Sequence, residues 1–258
     1  MNKFFDKTPL KLSLLLLIFQ LAHNIFALDI DEALELMHQW QEDHTNLVAK
    51  LVVQSSGIAE SESTFFRYVE TNGVNWAMDS QSSFPAKYKV IYFSDHETNI
   101  LAYFPATQDL VIAVPKSKIQ SSINNCLSLN IDPQINFDSL KKIASNITAK
   151  PNGNGGGEVW TKVDLNKLGA IEPTAKTLHH LYLTIGYDAS GKIEVIKQEV
   201  GITATQSKLV EIKHEYISFD KDSITNSFPQ LPELNKLNIN KSFPEALAEA
   251  IAKEQNKI

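Results

Sequence analysis

The sequence has little of what marks a polyanion binder, a disulfide scaffold or an enzyme. Arg67 is the only arginine among 24 basic residues, and 30 acidic residues bring the formal charge to −6. Without basic clusters the electrostatic footprint of phosphate-backbone binding is missing, and no nucleic-acid partner is expected. Cys126 is the single cysteine, so no intrachain disulfide forms and stability must come from an apolar core. On its apolar helical stripe Cys126 reads as a small buried hydrophobe rather than a nucleophile. There is no G-x-S-x-G and no carboxylate motif to anchor hydrolysis. His179 and His180 are adjacent, so on a strand they point to opposite faces. His38 and His44 are six apart, off the i, i+4 spacing of paired helical ligands. No catalytic residue, metal or cofactor is expected.

Long apolar runs are also scarce. Leu12 to Ala22 is too short to span a bilayer comfortably. Preceded by Lys3, Lys7 and Lys11 and closed by Ala27, it predicts a cleaved secretory signal over residues 1–27 and hence an exported protein; an uncleaved anchor is the alternative, because Ile25 stands where a cleavage site prefers Ala.

What is abundant is β pattern. KYKVIYFSDHETNILAYFPATQDLVIAV, Lys87 to Val114, holds three apolar runs, Tyr88 to Phe93, Ile100 to Phe104 and Leu110 to Val114, split by turn formers. That predicts an antiparallel meander. An ordinary half-wet strand is polar on one parity, yet here Tyr88, Val90 and Tyr92 alternate with Ile91 and Phe93. Both faces should therefore be covered, as in a curved sheet or partly closed barrel with apolar contents and some outer cover.

Upstream, Asp29 or Asp31 caps a helix with Ile30, Ala33, Leu34, Met37 and Trp40 on one stripe. Strands follow at Leu47 to Gln54, Ser63 to Glu70 and Val74 to Asp79, the last two joined through Asn72-Gly73. Ser117 to Asn130 and Phe137 to Ile147 carry helical spacing and predict two short lid helices. PNGNGGG, Pro151 to Gly157, predicts a flexible loop. Later strands are expected at Glu158 to Asp164, Leu178 to Tyr187, Lys192 to Val200 and Lys208 to Phe219, these with a wetter side. The tail is rich in Pro, Asn and Ser until Ser242-Phe243-Pro244-Glu245, which starts a helix. The fold class expected is α+β in one domain over residues 28–220, with an extended tail over 221–258 that ends in a short helix.

VNWAMDS at Val74 to Ser80, SDHETNILAYFPATQDLVIAV at Ser94 to Val114 and the hairpin YDASGKIEVIKQEVGITATQSKLVEIKHEYI together resemble the LolA-like family of periplasmic carriers of outer-membrane lipoproteins. His96-Glu97 replaces the family's usual turn glycine and Leu101 its common tryptophan. Arg67 lies near, not on, the position of the family's lid-holding arginine. The resemblance implies an incomplete antiparallel barrel of about eleven strands, closed by helices over an apolar cavity for acyl chains, and partner proteins at the inner and outer membranes. The residues expected to line that cavity are Phe66, Tyr68, Trp76, Met78, Val90, Tyr92, Leu101, Tyr103, Ile112, Ile123 and Leu127. Arg67 is either a lid latch or half of a cross-strand ion pair. Three functions stay open: a carrier that hands acylated lipoprotein or lipid towards the outer membrane, an envelope sensor of the same fold that signals to a protein partner, and a structural protein with a filled core.

Overall fold

Asp29 starts the first helix: its Oδ1 accepts from the Asp31 backbone N–H at 3.0 Å, and Asp31 and Glu32 occupy the positive end of the helix dipole. In the computed structural model this helix, α1 (Ile30–Asp43), buries Ala33, Leu34, Met37, Trp40 and Gln41. The structure describes residues 29–256 except 56–57, 72, 96–98, 116–134, 136, 153 and 170–176. The expected signal segment and the lid helix at Ser117 to Asn130 therefore lie outside the described residues.

Eleven strands follow: β1 (Leu47–Ser55), β2 (Ile58–Glu70), β3 (Gly73–Ser82), β4 (Tyr88–Asp95), β5 (Asn99–Phe104), β6 (Asp109–Pro115), β7 (Ala144–Pro151), β8 (Gly157–Val163), β9 (His180–Tyr187), β10 (Ile193–Gly201) and β11 (Ser207–Ser218). They form one antiparallel sheet in the order β6-β5-β4-β3-β2-β1-β11-β10-β9-β8-β7, which is not closed because β6 and β7 are its edges. Two meanders, β1 to β6 and β7 to β11, meet where β1 pairs with β11, with Leu51 opposite His214.

The sheet is wrapped around α1. Residues from β1, β2, β3, β8, β9, β10 and β11 share one buried cluster with Ala33, Leu34 and Met37. Eleven strands laid flat at about 4.8 Å spacing would span roughly 48 Å, several times the width of a helix. Only strong curvature brings both halves onto the same helix. The α+β half-barrel expected from the pattern is the architecture observed.

Local structure departs from expectation at two places. The helix expected over Phe137 to Ile147 stops early: α2 is Phe137–Ile143, and Ala144–Pro151 continues as the edge strand β7. Ser145, Asn146, Ile147 and Thr148 are poor helix formers, and the pairing with β8 satisfies the backbone that helix would have used. The loop PNGNGGG is a turn of the β7–β8 hairpin, with Asn152 N–H donating to Gly156 O at 2.9 Å. Gly156 is needed there because a Cβ would lie 2.1 Å from the Tyr187 carbonyl oxygen. A short α3 (Leu165–Gly169) follows β8, started by Asp164, whose Oδ1 accepts from the N–H groups of Asn166 and Lys167.

The tail is an integral layer. It forms α4 (Lys221–Ser227), capped by Asp220, a 3-10 turn at Leu234–Lys236 and α5 (Phe243–Gln255) with a Ser242/Glu245 capping box. Ile224 of α4 and then Phe228 cover Val48, Phe66 and Tyr68 on the sheet face turned away from α1. Phe228 and Leu237 cover Ala77, Phe93 and Tyr103 on that same face. At Asn238 the chain bridges to Asp109 on the edge strand β6. It then turns the edge, and α5 lies on the face that carries α1, against Val90, Ala102, Phe104 and Val111. This explains why the central strands are apolar on both parities: each face has a cover of its own.

Candidate functional site

Strand parity sorts the residues expected to line the cavity. In β2–β3 the turn sets Arg67 opposite Trp76 and Phe66 opposite Ala77, so Trp76 shares a face with Arg67, Phe65 and Met78. In β3–β4 Met78 faces Tyr92 and Ser80 faces Val90. Trp76, Met78, Val90 and Tyr92 therefore lie on the helix-bearing face. Phe66, Tyr68, Leu101, Tyr103 and Ile112 lie on the other: Phe66 and Tyr68 pack under the tail, Tyr103 pairs with Leu110, and Leu101 pairs with Phe93 and Ile112. Ile112 is 55% exposed. The expectation of one shared lining is corrected for these five, because successive side chains on a strand point to opposite faces. Ile123 and Leu127 lie outside the described residues.

The helix-bearing face has two apolar clusters. One centres on α1 and includes Leu47, Ala49, Leu51, Phe65, Met78, Val159, Ile185 and Ile212. The other centres on α5 and includes Val90, Ala102, Phe104 and Val111. Tyr92 packs against both, and Trp76 packs against the first; neither is fully buried. Trp76 stacks on Phe65 with ring centroids 6.1 Å apart at 24°. Burial, and secondarily the nearby Tyr88 hydroxyl, pushes the Tyr92 phenol up to about 12. The boundary between the two clusters, at Tyr92, is thus aromatic and largely apolar.

Arg67 lies on this face. Its in-register neighbours are Leu47 and Trp76 rather than an acid, and its Nη1 is buried. The position places the guanidinium on the helix-bearing face, beside the tryptophan.

The second titratable feature of this face was not singled out from the sequence. His214 follows Ile212 on the same parity of β11, sits opposite Leu51, and is only 8% exposed. Neither ring nitrogen has a hydrogen-bond partner among the described residues. Burial alone lowers its pKa from 6.5 to about 4, so the imidazole is neutral at physiological pH. Two residues on, Tyr216 packs edge-on against Trp40 of α1 at 4.8 Å. The sequence signal was present: in LVEIKHEYI the alternation Val210, Ile212, His214, Tyr216 puts a histidine in an otherwise apolar parity.

Elsewhere the chemistry is sparse. An open recess of about 460 Å³ at the end of α1 is lined by Leu36, Gln39, Trp40, Asp43, His44 and Ser190. His180 Nε2 lies 3.5 Å from Glu199. No group of three or more metal-ligating side chains occurs among the described residues.

No family model matches the sequence, and no curated protein matches it. Among solved structures the chain is similar to the Mycobacterium tuberculosis lipoprotein LppX, with 11% identity, a TM-score of 0.44, and 73% of this chain and 96% of that one covered.

Proposed function

We propose that the protein is a lipid-binding carrier whose helix-bearing face holds the acyl chains of a lipoprotein or lipid. One observation carries this reading: among the described residues the apolar face of the half-barrel is covered by separate elements, α1 with α2 over one cluster and α5 over another, and the two clusters meet at the partly buried Tyr92. A monomer with a filled core has no need to close one sheet face with helices from opposite ends of the chain. A carrier has, because helices can be exchanged for cargo of the same polarity. Burying one CH₂ stabilises by about 0.8 kcal/mol, so a chain of some 16 carbons offers roughly 12 kcal/mol before the covering helix is displaced. That cost lowers net affinity to a level at which cargo is also released.

The signal-like segment at residues 1–27 supports a periplasmic site of action, and the family resemblance supports transfer towards the outer membrane with partner proteins at both membranes. The reading is tested by native mass spectrometry of the purified protein, backed by titration with a fluorescent fatty acid. Co-purified acyl lipid, displaced by the fatty acid, is the expected result. A lipid-free protein that takes up no fatty acid refutes it.

A further inference from the structure

The outer strands of the meander, β4 to β6, present Val90, Ala102, Phe104 and Val111 on the helix-bearing face, and α5 covers them with Phe243, Ala246, Leu247 and Ala250. Ala246 and Ala250 are fully buried, so the helix backbone lies close to the sheet. The capping box at Ser242 and Glu245 makes α5 a self-contained helix that keeps its own start when it leaves the sheet.

What fastens it is polar and concentrated at one spot, the β5–β6 turn. Asp109 is fully buried, and its Oδ2 accepts from Lys241 Nζ at 3.1 Å; the same ammonium reaches Glu249 on α5. Asn238 exchanges backbone hydrogen bonds with the turn, accepting from Leu110 N–H and donating to Gln108 O, both at 2.9 Å. Its side chain donates to Thr107 O at 3.2 Å. At the far end of the helix Lys253 Nζ donates to Ala106 O at 2.9 Å. Burial would raise the Asp109 carboxyl, but Thr107, Lys241 and Asn238 around it hold it below the usual range, so the latch is charged at neutral pH.

We propose that the β4–β6 surface is an acyl-chain subsite which α5 closes as a displaceable plug, with the Asp109–Lys241 pair as its latch. The inference rests on the lipid-carrier reading above and adds to it where a chain lies and what it must expel. The apolar side of α5 stands in for the ligand: it supplies methyl, isobutyl and phenyl groups to a strip of sheet that an extended hydrocarbon fills equally well. Leu247 and Phe243 are only partly buried, and the latch is the half-buried Lys241 ammonium shared between buried Asp109 on an edge strand and exposed Glu249 on α5. Anchorage is therefore shared between a small apolar contact through Ala246 and Ala250 and a few polar contacts at one turn, which suits a cover that leaves and returns.

The test uses the full chain with Asp109→Asn and Lys241→Met together, so that no buried charge is left uncompensated, and Leu247→Glu as a second route to release. Three quantities are read: hydrogen exchange over residues 243–255, the thermal transition of the sheet, and titration with 11-(dansylamino)undecanoic acid. Faster exchange in α5, a retained sheet transition and about tenfold tighter probe binding are expected, since apparent affinity scales with the open fraction. Released α5 with affinity unchanged from a binding parent overturns the plug and leaves the carrier reading standing. No binding by the parent or by either variant with α5 released overturns the carrier reading itself. Exchange over α5 that stays at the parent rate in the double variant refutes the latch, and if that variant loses the sheet, Leu247→Glu decides by the same criteria.

Discussion

Lowering the pH from 7.5 to 5 should weaken the fold through His214. Its imidazole is buried without a hydrogen-bond partner among the described residues, and its pKa falls from 6.5 to about 4 for that reason. The unfolded chain therefore takes up the proton first. Above pH 6.5 both states are neutral at this site and nothing is lost; as pH falls towards 4 the unfolded state is favoured progressively. The full shift corresponds to about 3 kcal/mol, of which about 2 kcal/mol is expressed by pH 5. With a urea slope of about 2 kcal/mol/M, the midpoint should drop by about 1 M. Carboxylates do not confuse this window. Asp188, for example, is partly buried, yet hydrogen bonds from Ser190 and Lys192 outweigh that desolvation and hold its pKa down; its contribution is lost only below about pH 4. Urea titrations at both pH values, on the parent and on His214→Leu, are the assay. The variant should lose the pH slope and match or exceed the parent at pH 7.5, because an apolar side chain replaces an unsatisfied polar one. A parent midpoint that does not move, or a variant that keeps the full slope, refutes the reasoning.

Alkaline pH should act on Tyr92 with the opposite sense: its phenol ionises near 10 when unfolded but at about 12 when folded, so stability falls between those values. Spectrophotometric titration of the tyrosinate band should show a late step absent from Tyr92→Phe. Gly156→Ala places a methyl 2.1 Å from the Tyr187 carbonyl oxygen; a cost of about 2 kcal/mol or more is expected in the denaturation midpoint. Phe228→Ala removes the ring shared by two clusters under the tail. About 1–3 kcal/mol should be lost, with faster hydrogen exchange over residues 221–237 as the local signature.

The sheet was legible because its strands are written in two ways that physics constrains: alternating apolar residues and turn formers such as Asn72-Gly73 and Asp188-Ala189-Ser190-Gly191. The double-sided apolar pattern correctly demanded two covers. Which residue belonged under which cover required register, and register was already implied by the two-residue connection between Glu70 and Gly73, which sets Arg67 and not Phe66 against Trp76. Residue type misled where parity would have decided, as for Tyr68 and Tyr103. The helical reading of Phe137 to Ile147 held to Ile143 and failed beyond it, because Ile143 and Ile147 satisfy both periods over so short a stretch and tertiary pairing with β8 settled Ala144 onward as strand. The tail's role was not legible. Its anchors, Ile224, Phe228, Leu237 and Asn238, are isolated in sequence and acquire meaning only from the strands they cross.

The pairing of β1 with β11 has a consequence for how the chain folds. Leu51 and His214 face each other across 163 residues of intervening sequence separation, while every other pairing joins strands adjacent in the chain. Each meander can form from local contacts, but the middle of the sheet closes only when almost all of the polypeptide is present, at a loop-closure cost that local hairpins escape. Substitutions along this central seam, such as Val53→Ala opposite Ile212, should slow folding more than equally buried substitutions within one meander.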